Sequence, residues 1–124
     1  MEIFETLLAW LQVHSVLPLV DRCGLQEGDT GLFPLGLEQL SIREDVLGNR
    51  VRRVRYSFLL RRTAVPGLDA ATWAMQLQQL AAYHPPALGT DQRFWAEKGR
   101  LVKHASTGLA SYEIRLIAER EEQL

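Results

Sequence analysis

The feature that most constrains the fold is an alternation of apolar and polar residues between Arg53 and Arg61. Side chains that alternate in this way lie on opposite faces of a β-strand. The preceding Leu47-Gly48-Asn49-Arg50 is typical of a turn, because Gly and Asn both accept positive φ. Residues 37–46, where Leu40 and Ile42 alternate with polar neighbours, then form the first strand of a predicted hairpin. The second strand has an apolar face of Val54, Tyr56, Phe58 and Leu60 and a polar face of Arg53, Arg55, Ser57 and Arg61.

Two segments have the apolar spacing of an amphipathic helix. In residues 1–14 the apolar positions recur at intervals of three and four, and in residues 70–83 Trp73 and Leu77 follow the same rule. Asp69 stands where a helix N-cap belongs. We therefore predict one helix before the hairpin and one after it.

The last third of the chain predicts a second hairpin. Residues 94–105 form its first strand, weakened or bulged at Gly99, and residues 112–119 form its second. The order helix, hairpin, helix, hairpin buries every apolar stripe if both helices cover one face of the sheet. We predict an α+β fold, a two-layer sandwich with a mainly antiparallel sheet of about four strands. Residues 1–120 form a single domain, and residues 121–124 form a frayed C-terminal tail.

The sequence contains no pattern typical of a catalytic, metal or cofactor site. Its three histidines are far apart, Cys23 is the only cysteine, and no GxSxG or phosphate-binding glycine motif occurs. We predict no catalytic residue, metal, cofactor or small-molecule substrate, and no enzymatic activity. A net charge of -1 argues against nucleic acid as a partner. No apolar run approaches the ~20 residues of a membrane span. The lone cysteine favours folding in the cytoplasm.

The polar face of the second strand, with Arg53, Arg55 and Arg61, has three interpretations. Glutamates on other strands neutralise it by cross-strand pairing, so that it is a solvated, internally paired face. Alternatively it is a protein–protein interface, where arginine is favoured. The third interpretation, which the sequence favours least, is a nucleic-acid-binding surface. If the face is an interface, Arg55→Glu is expected to leave thermal stability nearly unchanged and to weaken assembly.

An apolar segment, residues 31–37, lies within a glycine-rich stretch that predicts a long loop from Pro18 to Gly36. Leu32 and Phe33 either cover the core as part of that loop or dock onto a neighbouring chain, and the sequence leaves both open. Long loops, a two-faced sheet and no catalytic motif favour an assembly component over an enzyme. The candidate interface residues are Arg53, Arg55, Arg61, Leu32 and Phe33.

Four segments are distinctive when taken together: Gly31–Pro34 through Ser41–Asn49, Tyr56–Arg62, Ala96–Leu101 and Tyr112–Leu116. They resemble recurrent segments of small proteins from phages and prophages of Firmicutes-type bacteria. Those proteins are described as minor capsid, minor tail or tail-completion proteins. The resemblance spans Met1 to Arg120 and contains no catalytic motif. The order of elements also resembles that of the tail terminator of lambda-like phages, which forms a hexameric ring that caps the tail tube.

The resemblance implies a virion structural protein of the tail or neck, assembled in the cytoplasm of the host bacterium. Its partners would be further copies of itself in a ring, the tail tube protein and the head–tail connector proteins, with no membrane involved. A neck or head-completion (stopper) protein is the alternative role, and a small nucleic-acid-binding module that uses the arginine-rich strand is the alternative from another class. A ring requires two different, complementary patches on each subunit.

Overall fold

The computed structural model of the chain describes residues 2–14, 31–65, 67–102 and 110–124. Within these ranges it contains two helices and five strands, which confirms the predicted α+β class. The helices are α1 (Glu2–Val13) and α2 (Gly67–Tyr83), and the strands are β1 (Gly31–Glu44), β2 (Arg50–Val65), β3 (Thr90–Ala96), β4 (Arg100–Val102) and β5 (Ala110–Gln123).

The described strands form one antiparallel sheet in the order β1–β2–β5–β3, and β4 also pairs with β5. Strand β5 therefore has β2 on one side and both β3 and β4 on the other, while β1 lies at an edge. The register places Phe58 opposite Leu116 and Arg55 opposite Glu119. Because paired residues in antiparallel strands point to the same side, even-numbered residues of β2 and β5 share one face and odd-numbered residues share the other.

Both helices pack against the even-numbered face, called here the helix-covered face. Phe4 of α1 lies against Phe58 with ring centroids 6.1 Å apart, and Trp73 of α2 meets Tyr112 edge-on at 6.3 Å. Burying a large apolar side chain contributes roughly 1.5–3 kcal/mol, so the side chains buried in this layer stabilise the packing of the helices on the sheet. The residues predicted for the apolar face of β2 are all buried there: Val54, Tyr56, Phe58 and Leu60.

Trp10 connects the end of α1 to the segment that follows α2. Its Nε1 donates a 2.8 Å hydrogen bond to the carbonyl oxygen of His84, and its ring meets Phe94 edge-on at 5.3 Å. The indole is thus buried with its one polar hydrogen satisfied, as a buried tryptophan requires. This contact fixes α1 relative to α2 and β3.

The predicted loop from Pro18 to Gly36 is wrong for its last six residues, because β1 already begins at Gly31. Pro34 is tolerated in this strand because β1 is at the sheet edge, where a missing N–H costs no ladder bond. The register with β2 shifts between Pro34 and Gly36 and again between Gln39 and Ser41. Leu35 and Leu40 therefore lie at irregularities of the bulge type. The first part of the predicted loop lies outside the described residues.

The predicted frayed tail at residues 121–124 is also wrong. Strand β5 continues to Gln123, which pairs with Val51, and the Leu124 N–H donates to the carbonyl oxygen of Arg50 at 3.1 Å. The tail is held because β2 offers it a partner along its whole length. Helix α2 begins at Gly67, three positions before the predicted start at Ala70.

The predicted strand 94–105 is interrupted. The chain leaves the sheet after Ala96 and returns at Arg100, and both pieces pair with β5. Gly99 lies in the interruption, where an added Cβ would be 2.0 Å from Cε1 of Tyr112. Only glycine leaves room for that ring. The part of the prediction after Val102 lies outside the described residues.

A turn joins β1 to β2 as predicted, but it occupies residues 45–49 and not Leu47–Arg50, because β1 ends at Glu44 and Arg50 already pairs in β2. Gly48 has a φ of 84°, which favours glycine, and its N–H donates to the carbonyl oxygen of Asp45 at 3.0 Å. One carboxylate oxygen of Asp45 accepts hydrogen bonds from the N–H groups of Leu47 and Asn49, each at 2.9 Å. An Asp that binds the backbone of its own turn in this way makes the hairpin end rigid.

Candidate interaction surfaces

The odd-numbered face of the sheet, called here the helix-free face, carries three of the predicted interface residues. Arg53, Arg55 and Arg61 all project from β2 onto this face, as the alternating sequence predicts. Strand β2 is hydrogen-bonded on both sides, so the backbone that positions these side chains is fixed.

Glu119 of β5 lies beside two of these arginines and is only 3% exposed. Nη2 of Arg55 is 2.6 Å from Oε2 of Glu119, and Nε of Arg55 donates to the same oxygen at 2.8 Å. Nη2 of Arg53 approaches Oε1 at 3.4 Å. Two guanidinium groups thus neutralise one buried carboxylate through charge-assisted hydrogen bonds. This is the internal cross-strand pairing that the first interpretation of the arginine face predicted.

Trp95 of β3 lies on the same face between two arginines. The guanidinium carbons of Arg55 and Arg93 are 6.0 and 5.4 Å from its ring centroid, which is the range of a cation–π contact. The sequence places Glu119 among the glutamates expected to neutralise the arginine face, but no sequence pattern indicates that Trp95 belongs to this surface. The pairing of β3 with β5 brings them together, with Arg93 opposite Glu119 and Trp95 opposite Ile117.

Arg61 and Phe33 lie together further along this face. Nη2 of Arg61 is 2.7 Å from Oε2 of Glu113, and its guanidinium carbon is 5.5 Å from the Phe33 ring centroid. Leu32 points to the opposite, helix-covered face and is fully buried in the core. The structure therefore separates two residues that the sequence grouped: Leu32 is a core residue, and Phe33 is half-buried at the surface.

The edge strand β1 exposes four aliphatic side chains, and its register places Leu37 and Ile42 on the helix-covered side and Leu35 beside the depression of the helix-free face. Leu37 is 59% exposed and Leu35 47%, and Leu40 and Ile42 are also exposed. On its outer side β1 pairs with no strand among the described residues, so backbone N–H and C=O groups are open there. Exposed aliphatic side chains beside a free strand edge are typical of a surface that meets another chain.

A basic depression with a volume of about 660 Å³ opens on the helix-free face where β3 gives way to β4. Its apolar part is formed by Leu35 and Leu59. Arg61 is paired with Glu113 there, whereas three further cations form no ion pair with any described residue. Four cations against two carboxylates leave the depression with a net charge of +2. The charged lining residues are Arg61, Glu97, Lys98, Arg100, Glu113 and Arg115.

A second polar cluster lies on the helix-covered face, at the end of the sheet near the β1–β2 turn. Glu122 accepts hydrogen bonds from the Tyr56 hydroxyl, from Nε of Arg120 at 3.0 Å and from Nη2 of Arg52 at 2.9 Å. Burial alone would raise the pKa of Glu122. The three hydrogen-bond donors stabilise the ionised carboxylate by more than burial destabilises it, so the pKa lies below its ordinary value. Burial first, and then the hydrogen bond to Glu122, raise the pKa of Tyr56.

His14 directly follows α1 and His84 directly follows α2, and neither has a second histidine close to it in the sequence. In the part of the chain that the structure describes, no three His, Cys, Asp or Glu side chains are grouped so that they could hold a metal ion. His104 and Cys23 lie outside that part. Of the helices described, neither α1 nor α2 is long and apolar enough to cross a membrane.

Comparison with known proteins finds no matching family model and no matching curated protein. The function is therefore inferred from the three surfaces: the ion-paired helix-free face, the aliphatic edge of β1, and the basic depression.

Proposed function

We propose that this chain is a structural protein of a bacteriophage or prophage particle, a tail terminator or tail-completion factor. Its copies form a ring at the head-proximal end of the tail, and the ring joins the tail to the head connector. The protein acts by complementarity of shape and charge, not by catalysis. The observation that carries the proposal is that the edge strand β1 exposes four aliphatic side chains beside its unpaired backbone, which is typical of a protein–protein interface.

The order of elements supports the proposal by analogy. A helix, a hairpin, a second helix and a final set of antiparallel strands follow one another in this chain. The same order belongs to the tail terminators of lambda-like phages that the sequence resembles. Because one fold hosts many functions, this likeness supports the ring hypothesis only together with the exposed surfaces.

The charges of the helix-free face support an assembly role of a particular kind. Arg53 and Arg55 are held in place by the buried Glu119, so their guanidinium groups are oriented before any partner arrives. Charges of this type set register and partner choice more than they add affinity. The same contact corrects one expectation from the sequence. Arg55→Glu would place a second carboxylate against Glu119 and destabilise the fold itself, so it is unsuitable as a test of assembly.

A neck or head-completion role is the alternative within the same class, and the position of the chain in the particle separates the two. The nucleic-acid alternative has lost its original basis, because Arg53, Arg55 and Arg61 are paired with glutamates. Its remaining basis is the set of unpaired cations in the basic depression. Retention on duplex DNA at low salt that disappears in Arg115→Glu would favour this alternative, and no retention at low salt would exclude it.

Sedimentation velocity and electron microscopy of the purified chain, alone and with tail tubes, test the proposal. We expect closed rings whose mass is a multiple of 14.1 kDa, in solution or on the ends of the tubes. Leu35→Ser should weaken ring formation, because it removes an exposed aliphatic side chain of β1 that also lines the basic depression. Met75→Ser is the matched control, since Met75 is 61% exposed on α2. A chain that remains a monomer and binds no tube contradicts the proposal.

A further inference from the structure

The β1–β2 hairpin ends in a rigid tip, defined here as Glu44–Leu47. Val46 is fully exposed and Leu47 is 81% exposed, and Glu44 is exposed beside them. The hydrogen bonds of Asp45 to the backbone of the turn hold this shape. A preformed segment loses little conformational entropy when it docks, so two free aliphatic side chains on a rigid turn are well suited to bind another surface.

The basic depression has the complementary chemistry. Leu35 and Leu59 give it an apolar part, and Lys98, Arg100 and Arg115 form no ion pair with any residue in the described ranges. The tip also has an apolar part, formed by Val46 and Leu47, but the charged group beside it is the carboxylate of Glu44. Apolar contact in the centre with opposite charges beside it is the usual anatomy of a specific interface.

We propose that the hairpin tip of one copy docks into the basic depression of the next copy. Val46 and Leu47 then lie against the apolar part of the depression, and the carboxylate of Glu44 accepts hydrogen bonds from the free cations, first of all from Arg115. This inference rests on the proposed function, because it names the contact that links the copies of the ring.

The positions of the two patches determine the kind of assembly. Arg50 lies next to the tip and Arg61 lines the depression, and they are eleven positions apart on β2. At about 3.3 Å per residue the patches are separated by roughly 36 Å. Two different patches at opposite ends of one subunit form a head-to-tail contact, which closes into a ring when the rotation between copies allows it.

Direct pairing of two β1 edges is disfavoured by the strand itself. Pro34 has no N–H to donate, and the register shifts at Leu35 and Leu40 distort the edge. Proline and bulges are the features by which natural sheets prevent strand-to-strand association at an edge. The tip carries no such obstacle.

A charge exchange between the two patches tests the contact. Glu44→Arg replaces the exposed carboxylate beside Val46 and Leu47 by a cation, and Arg115→Glu removes a cation from the depression and adds a carboxylate. Both side chains are exposed, so the fold should tolerate each change. Each variant alone should self-associate at least about tenfold more weakly than wild type, because it opposes like charges. An equimolar mixture should regain wild-type association, since the cation at position 44 of one variant meets the carboxylate at position 115 of the other, and the unchanged Glu44 of the second variant meets the unchanged depression of the first.

Sedimentation velocity across a concentration series measures these associations. Glu5→Arg on the exposed side of α1 is the matched control, with the same change of net charge as Glu44→Arg and no expected effect. Leu47→Asp should weaken self-association of the otherwise wild-type chain, because it removes the apolar contact of the tip. When it is added to the Glu44→Arg chain, it should also weaken association with Arg115→Glu.

The outcomes separate this inference from the proposed function. If wild type and both variants form rings equally well, the ring stands and the tip contact is overturned. If wild type binds tail tubes as a monomer, or if the mixture stays dissociated, the tip contact is overturned as well. If the mixture regains association but no ring is found in particles, the contact is supported and the tail role is refuted.

Discussion

Replacing Glu119 by glutamine tests the ion-pair cluster that organises the helix-free face. Glu119 is 3% exposed and receives the guanidinium groups of Arg53 and Arg55. Glutamine keeps the shape of the side chain and removes its charge. The two arginines then lose the anion that neutralises them in a partly buried site.

The free energy of unfolding should fall by about 2–3 kcal/mol. Removing one partner of a fully buried ion pair costs roughly 3–5 kcal/mol. The side chains of Arg53 and Arg55 are 23% and 38% exposed, so water replaces part of the lost interaction. The amide oxygen of glutamine also still accepts a hydrogen bond, which is worth about 1 kcal/mol. Both effects bring the cost below that of a fully buried pair.

Urea denaturation of Glu119→Gln and Glu38→Gln measures this difference. Glu38 is the matched control because it approaches the same Arg55, at 3.9 Å, but its side chain is 64% exposed. Its replacement should change stability by no more than about 0.5 kcal/mol. The midpoint of Glu119→Gln should be lower with an unchanged slope. If both variants unfold at the same urea concentration, the cluster has no organising role.

Three further predictions concern other parts of the fold. Phe58→Ala should cost ~3–5 kcal/mol in urea denaturation, because Phe58 is buried between the sheet and α1, and wild-type stability would contradict this packing. Gly99→Ala should cost ~1–3 kcal/mol because its Cβ meets the Tyr112 ring, whereas Gly36→Ala, with no atom within 4 Å of its Cβ, should cost less; equal urea midpoints would contradict this. The folded-state pKa of Glu122 lies below its ordinary value of 4.5. The ionised carboxylate therefore contributes fully to the free energy of unfolding above pH 4.5, and this contribution is lost as the pH falls through the folded-state pKa. Urea titrations above and below pH 4.5 should therefore show a weaker pH dependence for Glu122→Gln, and parallel curves for the two proteins would contradict the shift.

The alternation in β2 and β5 was sufficient to predict the helix-covered face. A period of two over several residues fixes which side chains share a face, so Phe58 and Leu116 could be placed in the core before the strands were paired. The helical spacing of Leu7 and Leu77 likewise placed each helix on the sheet, and both residues are fully buried. These patterns are local, which is why sequence alone reveals them.

The ends of the strands depend on partners that local sequence does not show. Pro34 and Gly36 are typical of loops, yet they lie in β1 because β2 pairs with them from one side. Glu121 and Glu122 are typical of a solvated terminus, but they extend β5 and form ion pairs with Arg43 and Arg52. In each case tertiary pairing overrides local propensity.

The candidate surfaces were predictable only in part. The alternation correctly placed Arg53 and Arg55 on the polar face, but it could not show that Glu119 is their shared partner, because that depends on the register of β2 against β5. The sequence predicts Leu47 in a turn from its neighbours, but that pattern does not show that its side chain is 81% exposed. Surfaces formed by residues far apart in sequence need the fold before they can be recognised.

Electron microscopy of assembled particles that carry a labelled copy of this chain tests the central claim most directly. A single ring of label between the tail tube and the head connector is the predicted result. Particles that lack the chain, or that carry it anywhere other than at this junction, would contradict the claim that it is the ring which ends the tail.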